Sequence, residues 1–134
     1  MANALYPKWK EQLLQFTANN NLSSGTVKVA LIDTGTYTYN SADQFWSSAS
    51  AASVGTPQTI GSKTFTNGVF DGGDVTFTAV SGNTIEALIL YIDTGNAATS
   101  PLVAFIDTGV TGLPVTPNGG DITVTWNATG IFAL

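Results

Sequence analysis

The sequence predicts an all-β fold, an antiparallel β-sandwich or flattened, jelly-roll-like barrel of about seven to nine strands, with one N-terminal α-helix packed against it. Three observations predict this. Short runs rich in β-branched and aromatic residues recur along the chain, separated by Gly, Asn, Asp and Ser turn chemistry. Two of those runs alternate strictly between apolar and hydroxyl side chains. Only the first segment carries a helical period.

That segment, "NALYPKWKEQLLQFTANNN", places Leu5, Trp9, Leu13 and Phe16 on one helical face. The spacing predicts a helix over residues 3 to 18, within an N-terminal unit of residues 1–20. Pro7 fits in its first turn, where a missing N–H costs no hydrogen bond, and Asn19 to Asn21 form the exit. Residues 26–134 then make up the sandwich of a single domain.

Strands are expected at "TVKVALI" (26–32), "DVTFTAV" (74–80), "EALILYI" (86–92), "LVAFI" (102–106) and "DITVTW" (121–126). Val75, Phe77 and Ala79 oppose Thr76 and Thr78, and Ile122, Val124 and Trp126 oppose Thr123 and Thr125, so each of these strands has a buried and a wet face. Ala87 to Ile92 is apolar on both faces and reads as a central strand covered twice. "SGN" at 81–83 is a tight hairpin signal between strands 74–80 and 86–92. "NGVFDGGD" and "PVTPNGGD" read as loops. Between Thr36 and Phe70 the pattern is faint, allowing a short helix at 42–48 and a strand at 57–65, or an extended arm that orders on a partner.

Composition excludes several chemistries. The chain has 134 residues with no Cys, His or Arg, a formal net charge of −5 and only four Lys, at 8, 10, 28 and 63. Thiol nucleophiles, disulfides and Cys-ligated zinc are excluded. The side chain best suited to proton transfer near neutral pH is missing. No basic stripe exists to neutralise phosphates, so nucleic acid is not an expected partner. No apolar run approaches the ~20 residues that cross a bilayer, so no membrane is expected either. The first residues lack a secretion signal, and the expectation is synthesis without an export peptide. The sequons at Asn21 and Asn127 are therefore read as turns. Charged residues are 10% of the chain, against about 25% in an average soluble domain. A neutral, hydroxyl-rich surface of this kind loses little desolvation energy when another protein covers it.

"IDTG" occurs three times, at 32–35, 92–95 and 106–109. Asp-Thr-Gly after an apolar strand is also the signature of aspartic proteases, which need two carboxylates close enough to share a proton. Asp93 and Asp107 close consecutive strands joined by a short connection, which makes an antiparallel hairpin and puts the two carboxylates about 15 Å apart at opposite ends. Thr36, Asn96 and Val110 follow the triplets where Ala or Ser is usual in retroviral-type proteases. An alternative accounts for all three copies: Asp accepts backbone N–H bonds in an Asx-turn, and Gly takes a positive φ. "DGGD" at 71–74 lacks the spacing and closing Glu of an EF-hand. Glu86 with an Asp as a glycosidase pair has no sugar cleft to support it. Trp46 is the one Trp not assigned to a core face, and reads as a surface aromatic.

Residues 74–126, "DVTFTAVSGNTIEALILYIDTGNAATSPLVAFIDTGVTGLPVTPNGGDITVTW", together with "MANALY" and "VKVALIDTGTYTYN" (27–40), resemble a family of small proteins encoded by tailed bacteriophages. The "SGNTIEAL" stretch, "PVTPNGGDI" and the short apolar end "GIFAL" carry that likeness, and 41–70 matches least. The resemblance implies a virion structural component, a capsid cement or decoration protein, with a tail or tail-fibre adaptor as the alternative. It implies no catalytic residue and no cofactor or metal. The expected partners are the major capsid protein and sister copies, trimers before dimers, on the outer face of a capsid assembled in the host cytoplasm. Tyr6, Lys8, Trp46, Phe132 and Leu134 are the candidate assembly residues.

Overall fold

A computed structural model describes residues 3–134. About a third of the chain is strand and 15% is helix, including short 3₁₀ turns. The main layer is a five-stranded antiparallel sheet of β1 (Ala4–Leu5), β7 (Leu102–Ile106), β6 (Ala87–Asp93), β2 (Thr26–Ile32) and β3 (Ser53–Thr59), in that spatial order. Two two-stranded ladders complete it: β4 (Val69–Phe70) with β9 (Phe132–Ala133), and β5 (Val75–Phe77) with β8 (Ile122–Val124).

The doubly apolar strand is central, as its composition requires. The ladder sets Val27, Val29 and Leu31 opposite Ile92, Leu90 and Leu88, and Ala30 opposite Ile89. All of these side chains are buried. Tyr91 and Phe105 belong to the Ile89 face. It is covered by the Thr36–Ala52 segment, with Trp46 stacked on Tyr91 at 4.4 Å between ring centroids and Tyr39 against Phe105 at 5.6 Å. Leu88, Leu90 and Ile92 face the other way and are equally buried. The small ladders share one apolar core with the sheet through Phe70, Val75, Phe77 and Val124.

The N-terminal segment differs from expectation. α1 spans only Pro7–Leu14, with Pro7 in its first turn as expected. Tyr6 before it is extended, since a residue preceding proline is pushed out of the α region. Ala4 and Leu5 instead pair with Phe105 and Ala104 at the sheet edge. Leu5 is therefore a strand residue. Trp9 is buried as predicted and Leu13 half-buried, but Phe16 lies beyond the helix end and points into solvent.

Four further expectations are corrected. β5 ends at Phe77, because Ala79 adopts a positive φ and its N–H bonds to Asp121 Oδ1, which leaves Ala79 exposed and turns Val80 inward. β5 pairs with β8 rather than β6, so "SGN" is a turn between layers and not a hairpin. The 36–70 region is an integral layer. It contains 3₁₀ turns at Trp46–Ser48 and Ser50–Ala52 in place of a helix at 42–48, and its strand is 53–59 rather than 57–65. "NGVFDGGD" contains the short strand β4. On the wet side of β5 and β8, Thr76 and Thr123 share a hydroxyl hydrogen bond of 3.1 Å, the expected use of the alternating face.

Candidate interaction surface

The three Asp-Thr-Gly turns are held in three ways. Asp33 accepts hydrogen bonds from the Gly35 N–H (2.8 Å), the Thr36 hydroxyl (2.8 Å) and the Asn83 amide (2.9 Å). These bonds, Thr36 foremost, hold its carboxyl below the usual carboxylate range. Asp93 accepts from the Gly95 N–H (2.9 Å) and pairs with Lys28 at 2.9 Å, and the lysine bond leads in lowering its pKa. At the third turn the acceptor comes from elsewhere: Asn3 Oδ1 takes the N–H groups of Asp107 (2.7 Å) and Thr108 (3.0 Å), and Asn3 Nδ2 donates to the Thr108 carbonyl. Gly95 and Gly109 have positive φ, whereas Gly35 does not, so the expected glycine role holds at two copies of three.

The register separates the carboxylates. Leu88 lies opposite Ile106 and Tyr91 opposite Leu102, which puts Asp93 and Asp107 at opposite ends of the β6–β7 pair. Asp33 and Asp107 end β2 and β7, which flank β6 at one end of the sheet. Two strand spacings, about 10 Å, lie between those strands. Glu86 accepts the Thr34 N–H at 3.0 Å, tying this end together, and shares a 430 Å³ hollow with Asp107, Tyr37 and Tyr39. Both sequon asparagines cap turns: Asn21 Oδ1 accepts from Ser23 N and Asn127 Oδ1 from Thr129 N. Among the described residues no cluster of three or more Asp or Glu is placed to hold a metal ion.

The five candidate assembly residues scatter. Tyr6 is fully buried, its hydroxyl 2.9 Å from that of Tyr37, which in turn donates to Asp43. Burial raises the Tyr6 pKa strongly, and Tyr37 is pushed up to about 12. Trp46 is 7% exposed beneath the sheet and is not a surface aromatic. Each was misread for the same reason: its aromatic partner, Tyr39 for Tyr6 and Tyr91 for Trp46, is distant in sequence. Phe132 is half-buried, edge-on to Trp9 at 5.8 Å and against Phe70 at 5.3 Å. Lys8 lies on the surface and pairs with Glu11. Leu134 is 72% exposed.

Leu134 belongs to a surface that sequence reasoning missed. A 610 Å³ groove runs between α1, its exit loop and the C-terminal residue, walled by Trp9, Leu13, Phe16, Leu22, Phe65 and Leu134. No charged side chain lines it. Phe16 in its wall is 95% exposed, and Leu14, which does not line it and follows Lys10 and Glu11 by four and three residues on α1, is 90% exposed; these are the two most exposed large apolar side chains of the described residues.

The helix exit shows why Phe16 projects. Thr17 N–H bonds to the Gln12 carbonyl and Phe16 N–H to that of Leu13, the paired bonds of a Schellman termination. That motif demands a left-handed residue at Phe16 (φ 55°), a position glycine usually fills. The loop is then pinned: the Thr17 hydroxyl bonds to Gln12 Oε1 (2.7 Å), Asn20 Nδ2 to Thr17 Oγ1 and the Ala18 carbonyl, and Trp9 Nε1 to the Asn20 carbonyl. Asn20 is buried at the groove wall, and its Oδ1 accepts no hydrogen bond from the described residues. A phenylalanine at a glycine position, held outward by a fixed loop, was detectable in the sequence only as the end of the helical period.

No protein-family model matches the chain, and no curated protein matches it either.

Proposed function

We propose that this chain is a non-enzymatic assembly protein of a virion, a capsid cement or decoration module that works as symmetric oligomers on the outer shell. The observation that carries the assembly reading is the apolar corner of Phe16, Phe65 and Leu134 around the α1 groove. Exposed apolar groups gathered in one place mark interaction surfaces, and no charged side chain lines this groove. The placement in a phage particle rests on the sequence resemblance. The acidic balance supports an outer position, because a protein lining packaged DNA would face a polyanion with only four lysines.

The turns support the non-enzymatic part. The Asp33 and Asp93 carboxylates are engaged in hydrogen bonding, the third turn is held by Asn3, and the register keeps the carboxylates of one chain from sharing a proton. A cement adds interface area between subunits that already touch, so its effect is resistance of the shell to heat and internal pressure.

Copy number in purified particles tests the reading. A cement repeats around the shell, so copies on the order of hundreds per particle are expected. Roughly a dozen or fewer would place the protein at the portal, tail or fibre, and none would overturn the virion assignment.

A further inference from the structure

We infer that the hollow between the third Asp-Thr-Gly turn and the C-terminal turn binds a neutral 2-acetamido sugar. The inference goes beyond the assembly reading and does not depend on it.

The chain builds this hollow where the alternation of β8 stops. Instead of continuing the β5–β8 ladder, the Trp126 N–H donates to Asp74 Oδ1 (3.1 Å), and the indole Nε1 donates to the Gly73 carbonyl (2.9 Å). β8 ends at Val124. Thr125 and Trp126, which a strand would send to opposite faces, therefore line the same 220 Å³ hollow. The indole is half-buried, anchored through its N–H, and in contact with no other aromatic ring of the described residues.

Both walls are fixed before any ligand arrives. On one side Asn3 holds the Asp107–Thr108 turn. On the other, Asn127 Oδ1 takes the N–H (2.9 Å) and hydroxyl (2.8 Å) of Thr129, and the Gly130 N–H bonds to the Asn127 carbonyl (2.9 Å). A Cβ at Gly130 would collide with Val69, so this turn lies close against β4. A preformed site loses little to ordering on binding.

The groups left open are neutral. Among the described residues neither Asn127 Nδ2 nor the Thr125 hydroxyl has a hydrogen-bond partner, and Asn3 Nδ2 spends one of its two protons, on the Thr108 carbonyl. No charged side chain of the described residues lines the hollow. Two carboxylates belong to its surroundings, Asp74 on the Trp126 N–H and Asp107 between the lining residues Ile106 and Thr108. An anionic ligand would meet like charge and no lysine. Amides and hydroxyls beside an indole suit a pyranose, whose hydroxyls both donate and accept and whose C–H groups pack on the negative face of an aromatic ring.

An apolar recess selects the substituent. A 120 Å³ pocket walled by Ala4, Leu5, Ile131 and Phe132 shares Asn3, Ile106 and Ile131 with the hollow. A plain hexose offers nothing apolar to fill it. An acetamido group ends in a methyl that fits the recess, and its amide lies within the reach of the Asn3 side chain at the junction. The sugar exchanges water hydrogen bonds for protein ones, so the affinity is weak, with Kd on the order of 1 mM.

The test is a proton–nitrogen NMR titration of the full chain with N-acetylglucosamine, up to about 100 mM. The Trp126 indole resonance is expected to shift and saturate, while those of the buried Trp9 and Trp46 stay fixed. Glucose, which lacks the acetamido group, should bind at least about fourfold more weakly, the effect of one buried methyl. Ala4→Leu fills the recess and should erase that preference while leaving glucose binding as it is; should this variant fail to fold, the wild-type comparison of the two sugars decides the point. Thr125→Ala removes an exposed hydroxyl without a protein partner, so binding should weaken roughly threefold to tenfold at an unchanged melting temperature. A Trp126 resonance that does not move overturns the inference, as does glucose binding as tightly as N-acetylglucosamine. A Thr125→Ala variant that binds unchanged, or shifts centred on the α1 groove, would overturn it as well.

Discussion

Asp33 gathers three donors from within the chain, whereas Phe16, in a costlier backbone conformation, gathers no covering side chain at all. The turn end of the sheet repeats a sequence that looks catalytic, yet its hydrogen-bonding capacity is spent on holding Gly35, Thr36, Asn83 and, through Glu86, Thr34. The helix corner has no motif, yet its apolar capacity is left over. A short motif reports chemistry only if its groups remain available after folding, and here the quiet segment retains more unspent interaction energy than the repeated one.

The largest expected effect would show how closed the N-terminal clasp is. Tyr6 was expected on the assembly surface, but it is buried with its hydroxyl in the Tyr37–Asp43 chain. Tyr6→Ala should cost about 3–5 kcal/mol in urea unfolding, the range for emptying a large aromatic site. Unchanged stability with altered association would return Tyr6 to the surface and undo the contrast.

What the sequence made legible follows from range. β2 and β7 were read at their observed boundaries and β6 within a residue, because a strand buried on both faces is a near-continuous apolar run, as Val29–Ile32, Ala87–Ile92 and Leu102–Ile106 are. Pairing was less legible. "SGN" reads as a hairpin from its residues alone, and only the contact of β5 with the distant β8 shows otherwise. Trp46 and Tyr6 were misplaced because alternation reveals a buried face only within a strand, and both sit in segments whose burial depends on remote rings. Of the terminal candidates, Leu134 is 72% exposed but Phe132 is half-buried. The groove beside it joins residues 9–23, 65 and 134, a juxtaposition no local period encodes.

A second variant tests the third turn. Asn3 makes four hydrogen bonds of 2.7 to 3.2 Å to Asp107 and Thr108. Asn3→Ala should lower stability by about 1–2 kcal/mol, as loss of a capping side chain does. No change would mean that this turn, unlike those of Asp33 and Asp93, is not fixed by its contacts.

Acid titration sharpens the same point. Asp33 and Asp93 have folded pKa values below their ordinary one, so their contribution is fully present above about pH 4 and lost as pH falls through the lowered values. Melting temperature should drop below about pH 4, and Asp93→Asn should flatten part of that drop at a cost of about 1 kcal/mol or less near neutrality. At the alkaline end the sign reverses. Tyr37 and Tyr91, both pushed up to about 12 chiefly by burial, stabilise fully below about pH 10 and lose that contribution as pH rises toward 12. A turn end that served as an acid protease would instead gain peptide cleavage as the pH fell, abolished in one of the Asp33→Asn, Asp93→Asn and Asp107→Asn variants.

The smallest expected change in stability concerns the exposed ring at the helix exit. In the monomer, Phe16→Gly removes about 1–2 kcal/mol of left-handed strain and adds about 0.5–1 kcal/mol of backbone entropy to the unfolded chain. The ring buries nothing in that state, so no packing is lost. The net is a gain of roughly 0–1.5 kcal/mol in denaturant unfolding. A loss of about 1 kcal/mol or more would show that the ring packs within its own chain in solution, closing the helix corner as the turn end is closed and erasing the difference between them.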